Sequence, residues 1–413
     1  MRAIIFINTT ESGTSREVLK SAKRLGYKVI LFTDNSKQDK ERHRFTEVDE
    51  LIYLEYLSYG EIKSYIERYI LHFYEISAIL SFLDGYVGMA SRLADDFTDN
   101  ILNSKALEIM ENKLKTRMFF KDDSFTPKFS SLKDLLNKSH LKFPVVYKEC
   151  TSTGSKGVKK INSKYELTNF VTSDAFIEEY IPGQQYMIEV LVKNGIPNII
   201  AKIKQIILQT SYDTFIVKGY SLDKDFKLHK SEKEMINKIV SKLKIKNGHI
   251  HIEYKMNKDG VKLIEVNPRI SGSGMHALLE EGLGINYTDQ MLKFYLKEDT
   301  QIPKLKNNCY AHYFLSNKGG ILSRVTGRAK SIIQKDIKRL FIKPKQGQFI
   351  RLPKSMADRY GYIIGTGRTI EEARSNTLKA SKNIKFHLVQ ESYLNLILFI
   401  LLVLVLSLHL RNL

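Results

Sequence analysis

The sequence predicts a chain of α/β type at its start and α+β type beyond, and three observations carry that reading. Apolar, strand-like runs at Ala3–Ile7 and Lys28–Phe32 bracket a helical Ser15–Leu25 that Gly26 closes, a β–α–β opening. The middle of the chain alternates strand-like runs with short polar turns. Its plainest piece is a hairpin of His249–Glu253 and Lys262–Arg269 around Asn257-Lys258-Asp259-Gly260. After residue 308, runs near Tyr310–Leu315, Gly320–Val325 and Arg359–Gly365 precede a helical Thr369–Asn383, which makes a second small α/β piece. A chain of 413 residues is too long for one ordinary core, and 43% hydrophobic with 27% charged residues describes a folded protein.

In the N-terminal third, further strands are predicted near Glu50–Leu54 and Ile76–Phe82, flanking a helix over Tyr59–His72. Asp84-Gly85 falls just past the last of these strands, where ligands of open α/β sheets usually lie. The first turn holds only Gly13, not G-x-G-x-x-G, so no dinucleotide site is expected there. The net charge of +20 is carried without a single dense block, and suits anionic partners: nucleic acid, an anionic membrane surface or polyanionic small substrates. The 22 Tyr and 21 Phe are spread evenly and no RNP-like motif appears, so nucleic acid is not the expected partner. Two cysteines, Cys150 and Cys309, are too few for a disulfide framework and point to a reducing compartment. The apolar start is too short for a secretory signal.

Two stretches carry the chemistry. Phe143–Lys148 reads as a strand ending in a lysine, and a small-residue loop follows before the next strand, Val158–Ile161. Gly154 and Gly157, either side of Ser155, let the backbone close over phosphates and aim N–H groups at them, while Lys148 sets a point charge beside them. The loop joins two strands and lacks G-x-x-x-x-G-K-[ST], so it is not a Walker loop. The second stretch is the hairpin. Alternation puts His251 and Glu253 on one face of its first strand, and Glu265, Asn267 and Arg269 on one face of its second. Paired across the turn, Glu253, Glu265 and Asn267 converge beside the Arg269 guanidinium. Two adjacent carboxylates call for a cation, because like charges at close range repel strongly at reduced dielectric. An all-oxygen donor set selects Mg2+ (or Mn2+) held together with a phosphate, not zinc.

These residues resemble the metal-binding core of ATP-grasp enzymes, in particular the carboxylate–amine ligases that include L-amino acid ligases and the carbamoyl-phosphate synthase type. Glu253 and the run Glu265-Val266-Asn267-Pro268-Arg269-Ile270-Ser271-Gly272 carry the resemblance, which extends from the N-terminus to about Val389. It implies an ATP-grasp fold with a nucleotide between its central and later subdomains. Lys113, in a helical Asn103–Phe120, matches the family's lysine that reaches the α-phosphate. Phe176–Gln185 is similar to the linker that holds adenine: Ile181 would supply a backbone contact, with Glu178 and Glu179 the side chains nearest the base. Where the family commonly grips the ribose hydroxyls with a glutamate, this chain has Gln185, an uncharged acceptor. A lysine of the Ile199–Leu208 strand contacts phosphate in the family. Lys204 is the candidate here, with Lys202 left open beside it.

The implied activity is an ATP-dependent ligation. A carboxylate is phosphorylated to an acylphosphate, an amine attacks it, and ADP and phosphate leave, with a dipeptide or another amide as product. Glu253, Glu265 and Asn267 would hold one or two Mg2+, and Arg269 would be the catalytic residue that stabilises developing negative charge. The alternatives are an ATP-grasp enzyme of another product class, carbamoyl-phosphate-like or forming a ring-assembly amide, and a non-catalytic, membrane-attached protein that binds nucleotide or nucleic acid. Small-molecule carboxylate and amine substrates are the expected partners. The expected domains are 1–100, a pre-ATP-grasp α/β domain; 101–300, the ATP-grasp domain; 301–389, a closing subdomain; and a hydrophobic helix over 392–411. Tyr393–Leu410 holds no Asp, Glu, Lys or Arg and is apolar on every face, which predicts a transmembrane anchor. Lys382 and Lys385 before it, against Arg411 alone after it, put the enzyme on the cytoplasmic face of the membrane.

Overall fold

A computed structural model describes residues 1–131, 142–167, 174–210, 212, 214–258 and 260–389. The chain is mixed α/β and divides into two compact units, 1–205 with 221–308, and 206–220 with the chain from 309 onward.

The first unit opens with β1 (Arg2–Ile7), β2 (Lys28–Thr33), β3 (Glu50–Tyr53) and β4 (Glu75–Leu80), a parallel sheet in the order β3-β2-β1-β4. β1 and β2 are buried along their length after the first residue, which is why they read as continuous apolar runs and not as alternation. The strand order reverses beside β1, so the loops after β1 and β4 frame the crevice where such sheets take ligands. The helix predicted over 59–72 is an α-helix Tyr59–Tyr65 that continues as a π turn Ile66–Ile70, with Ile62, Ile66 and Ile70 buried. The helix predicted over 103–120 is two helices, Ser104–Met110 and Lys113–Phe119. Asn112 causes the break: its side chain accepts from the Lys115 N–H and caps a new helix, just as Asn103 caps the first.

Two antiparallel sheets follow. The smaller joins β5 (Phe129–Ser131), β6 (Val145–Glu149), β7 (Val158–Ile161) and β8 (Ala175–Glu179) in the order β5-β8-β6-β7. The other is built from β9 (Gln184–Lys193), β10 (Ile196–Gln209), β12 (Gly248–Asn257) and β13 (Gly260–Asn267), β11 (Phe215–Leu222) falling mainly in the second unit. Its order is β13-β12-β9-β10. β9 turns into β10 at Asn194-Gly195, whose φ angles of 53° and 79° are the positive pair a two-residue hairpin needs. One face of this sheet, with Ile188, Val190, Ile250 and Ile252, packs on Met235, Ile236 and Ile239 of the helix Lys230–Lys242. Alternation leaves Glu189, His251 and Glu253 on the other face.

In the second unit, β14 (Asn308–Tyr313), β15 (Gly320–Thr326), β16 (Ile337–Ile342), β17 (Phe349–Ile350), β18 (Gly361–Gly367) and β19 (Lys385–Val389) form two sheets. Their orders are β11-β14-β18-β16 and β17-β15-β19, with the helix Ile370–Ser381 burying Ala373, Thr377 and Ala380. β16 had no sequence signal because exposed Lys338 and Arg339 interrupt its apolar run.

Among the described residues no helix is long and apolar enough to cross a membrane. This corrects the expectation of a transmembrane anchor, and with it membrane attachment and a place at the cytoplasmic face of a membrane. The stretch 392–411 lies outside the described residues, and the described chain supplies no spanning segment in its place.

Candidate active site

The β12–β13 hairpin pairs Glu253 with Glu265 and His251 with Asn267, and a register shift after Glu253 sets Tyr254 opposite Leu263. Burial, and then the charge of Glu265 beside it, push the Glu253 carboxyl up to about 7. Lys113 Nζ, 3.6 Å from Glu265 Oε1, is the nearby cation on that side. A carboxylate pair that resists ionising together, next to a neutral amide oxygen, fits a hard divalent cation. Among the described residues no group of three or more His, Cys, Asp or Glu could hold a metal; Asn267, opposite His251 on the same hairpin, is the further oxygen donor that the sequence suggests. Gln185 lies at these carboxylates: its Nε2 donates to Glu253 Oε2 at 3.0 Å and to Gln205 Oε1 at 2.9 Å.

The loop between β6 and β7 runs with positive φ at Gly154 (62°), Ser155 (60°) and Gly157 (58°). Lys113, the first residue of its helix, is anchored to the base of this loop, its N–H on Cys150 O at 2.9 Å and its ammonium on Ser152 O. Buried Lys148 pairs with Glu178 Oε1, and Glu178 Oε2 takes Arg117 Nε at 2.8 Å. Burial works against the Glu178 charge, yet Arg117 and Lys148 hold its carboxyl below the usual range; burial pushes Lys148 down. Glu178 is therefore the counter-ion of both Lys148 and Arg117. A Cβ on Gly157 would collide with the Glu149 side chain in a backbone region that costs an L-residue about 1–2 kcal/mol. Gly157→Ala is accordingly expected to weaken binding of a non-hydrolysable ATP analogue, measured by calorimetry, by roughly 5- to 30-fold.

At the linker, Glu179 Oε1 accepts from the Lys128 N–H at 2.9 Å, and the Ile181 carbonyl accepts from Lys255 Nζ at 2.8 Å. Burial, and then Lys148, push Lys255 down to about 8. Lys255 was legible as the next residue after Glu253 on the same strand face, but was not read. Arg117, which also donates to the Leu263 and Ile264 carbonyls at 3.0 and 2.7 Å, looked like one more basic helix residue. Lys204 is not brought to this site. It pairs with Tyr186, whose ring stacks on Tyr254, on the face that the helix Lys230–Lys242 covers, and Lys202 there pairs with Glu232 at 2.8 Å. Alternation turns the next residue, Gln205, toward Glu253 instead.

Arg269 is held from the N-terminal sheet. Its Nε donates to Asp84 Oδ1 at 2.6 Å, its Nη2 to Asp84 Oδ2, and its Nη1 to the Ile270 carbonyl at 2.8 Å. Burial opposes the Asp84 charge, but Arg269 keeps that carboxyl below the usual range. The segment after Arg269 lies against the loop that follows β1: Thr14 N–H donates to Ser273 O at 3.0 Å and Thr14 Oγ1 to Ser271 O at 2.9 Å. A Cβ on Gly13 would stand 2.8 Å from Ser273 O, so this close approach needs glycine.

Behind the hairpin, Glu189 accepts from the Ser271 hydroxyl and lies 3.5 Å from His249 Nε2, which also meets Tyr287 OH at 2.7 Å. Burial pushes Glu189 up to about 8; burial, then His251, push His249 down to about 3. Both shifts favour the neutral forms of the pair. A raised carboxyl pKa gives stability that is complete below the unfolded value near 4.5 and lost as pH rises toward 8. Relative to Glu189→Gln, the unsubstituted protein should lose thermal stability steadily over that window and no further above it; parallel melting curves would contradict the assignment.

Residues 110–273 match the ATP-grasp domain family, and residues 312–389 match L-amino acid ligase C-terminal domain 2. That match places residues 110–273 in the ATP-grasp superfamily, whose members generally use ATP and Mg2+. Within it the chain is an ADP-forming carboxylate–amine ligase that closely resembles the L-amino acid ligases. It is 25% identical over 253 residues to the tyramine–L-glutamate ligase of Methanocaldococcus jannaschii, spanning 50% of this chain and 79% of that one. It is 29% identical over 149 residues to the D-alanine–D-alanine ligase of Aquifex aeolicus, 34% of this chain and 50% of that one. The L-amino acid ligase of Bacillus licheniformis shares the fold with a TM-score of 0.80 at 20% identity, over 95% of this chain and 99% of that one. Phosphoribosylglycinamide synthetase of Anaerococcus prevotii shares it with a TM-score of 0.70 at 18% identity, over 94% and 100%.

Proposed function

We propose that the site on β12 and β13 activates a carboxylate by ATP and passes it to an amine through an acylphosphate. The observation that carries this reading is the pairing of Glu253 with Glu265 beside Lys113, with Asp84-held Arg269 two residues beyond Asn267. Lys113 and Lys148 set positive charge under the phosphates, the Gly154–Gly157 loop covers them, and the Ile181 backbone with Lys255 and Glu179 lines the adenine position. Glu253, Glu265 and Asn267 would hold the divalent cation, which would supply charge neutralisation for the phosphates. A substrate carboxylate oxygen bonds to the γ-phosphorus as the bond to the β–γ bridging oxygen breaks, and ADP leaves. The amine nitrogen then bonds to the carbonyl carbon, the carbon–oxygen bond to phosphate breaks, and the departing phosphate takes the amine proton. Arg269 stabilises the oxyanion between these events. The domain partition 1–100, 101–300 and 301–389 is part of this proposal.

Support is broader for an ATP-grasp enzyme whose product class lies beyond dipeptides than for a dipeptide former alone. The relatives named for their reactions include one that joins two amino acids, a D-alanine–D-alanine ligase, and two that do not, a tyramine–L-glutamate ligase and a phosphoribosylglycinamide synthetase. The test is incubation with ATP, Mg2+ and pools of amino acids and amines, reading phosphate release and condensed products by mass. A product mass equal to acid plus amine less water supports the reading; no phosphate release in any pool contradicts it.

A further inference from the structure

We propose that His251 is a positioning residue that decides which atom of the Asn267 carboxamide faces the cation, and thereby sets the site's metal affinity. The inference rests on the metal assignment above. Two hydrogen bonds leave only one arrangement. The Arg269 carbonyl oxygen lies 2.8 Å from His251 Nδ1, and a carbonyl can only accept, so Nδ1 carries the proton. Nε2 faces an amide nitrogen, which can only donate, so Nε2 is the acceptor and carries no proton. Asn267 Nδ2 lies 2.9 Å from that Nε2, and only the N–H end of an amide can donate to it. The carboxamide oxygen is thereby turned away from His251 and left for a cation. Both side chains are buried, at 4% and 7% exposure, so water does not supply a substitute partner. A flipped amide would set oxygen against the Nε2 lone pair and aim N–H groups at the metal. The same imidazole fixes the main chain of Arg269, so one ring couples a metal ligand to the catalytic arginine. His251 touches neither substrate nor cation; its role runs through Asn267, as outer-shell partners of metal ligands act elsewhere.

The experiment is Mn2+ titration by electron paramagnetic resonance in the presence of ADP, a readout that does not depend on turnover. His251→Asn keeps an N–H for the Arg269 carbonyl but loses the acceptor for Asn267; His251→Gln can return an oxygen to the Nε2 position. Mn2+ affinity should fall roughly 10- to 100-fold in His251→Asn and stay close to the unsubstituted value in His251→Gln. Unchanged affinity in His251→Asn overturns the proposal, as does an equal loss in both variants, the result of a merely structural role. Absence of Mn2+ binding to the unsubstituted protein would overturn the metal assignment itself, and this inference with it. Nitrogen-15 NMR of the histidine-labelled, unsubstituted protein needs no variant to fold: a protonated Nδ1 with bare Nε2 supports the proposal, and a protonated Nε2 refutes it.

Discussion

Glu265→Gln is expected to lower ATP turnover by about 10³-fold, the scale of the several kcal/mol a bound cation contributes to a phosphoryl-transfer transition state. The fold should survive. Glu265 is paired across the hairpin with Glu253, whose carboxyl its charge helps to push up to about 7, so neutralising it removes that repulsion, which offsets the loss of its 3.6 Å ion pair with Lys113, and no core contact. Melting temperature should hold or rise while Mn2+ binding and phosphate release both collapse. Near-normal phosphate release with intact melting would show that the cation sits elsewhere.

The second large effect is expected at Arg269. Arg269→Ala should reduce kcat by roughly 10²- to 10³-fold, as loss of an oxyanion donor does, with ATP affinity retained. A partner variant is needed, because the truncation leaves Asp84 as a half-buried carboxylate without its guanidinium. Breaking a fully buried pair typically costs about 3–5 kcal/mol, and this one should cost less. The double variant Asp84→Asn with Arg269→Ala should therefore recover most of the lost stability and none of the lost rate. Recovery of rate in the double variant would make Arg269 a structural clamp; weakened ATP binding with an unchanged kcat would make it a ground-state phosphate contact.

The hairpin was legible because alternation is a short-range rule: once Asn257–Gly260 is read as a turn, Glu253 must face Glu265. The β1–β4 sheet was legible for a related reason, since strands buried on both faces are apolar throughout. What failed depended on partners far apart in the chain. Asp84 was placed correctly at a strand end, yet nothing local tells that Arg269, 185 residues later, closes on it. Arg117 looks like a surface charge, and Glu178 was expected beside the base, until the fold brings the two together with Lys148. Lys204 failed differently: family likeness suggested a lysine on that strand, but the strand's own alternation, fixed by its pairing with Tyr186, sends Gln205 to the site side. His251 was seen on the Glu253 face, but its role lies in hydrogen bonds that only the folded register supplies.

Transfer of the γ-phosphoryl group to a substrate carboxylate leaves an oxygen-isotope signature. The protein would be turned over with ATP, Mg2+ and the carboxylate found active, labelled with oxygen-18 in its carboxyl group, together with its amine. The account predicts that each phosphate released carries one labelled oxygen, because the carboxylate oxygen bonded to phosphorus departs with it. Phosphate free of label, alongside the same condensed product, would contradict it.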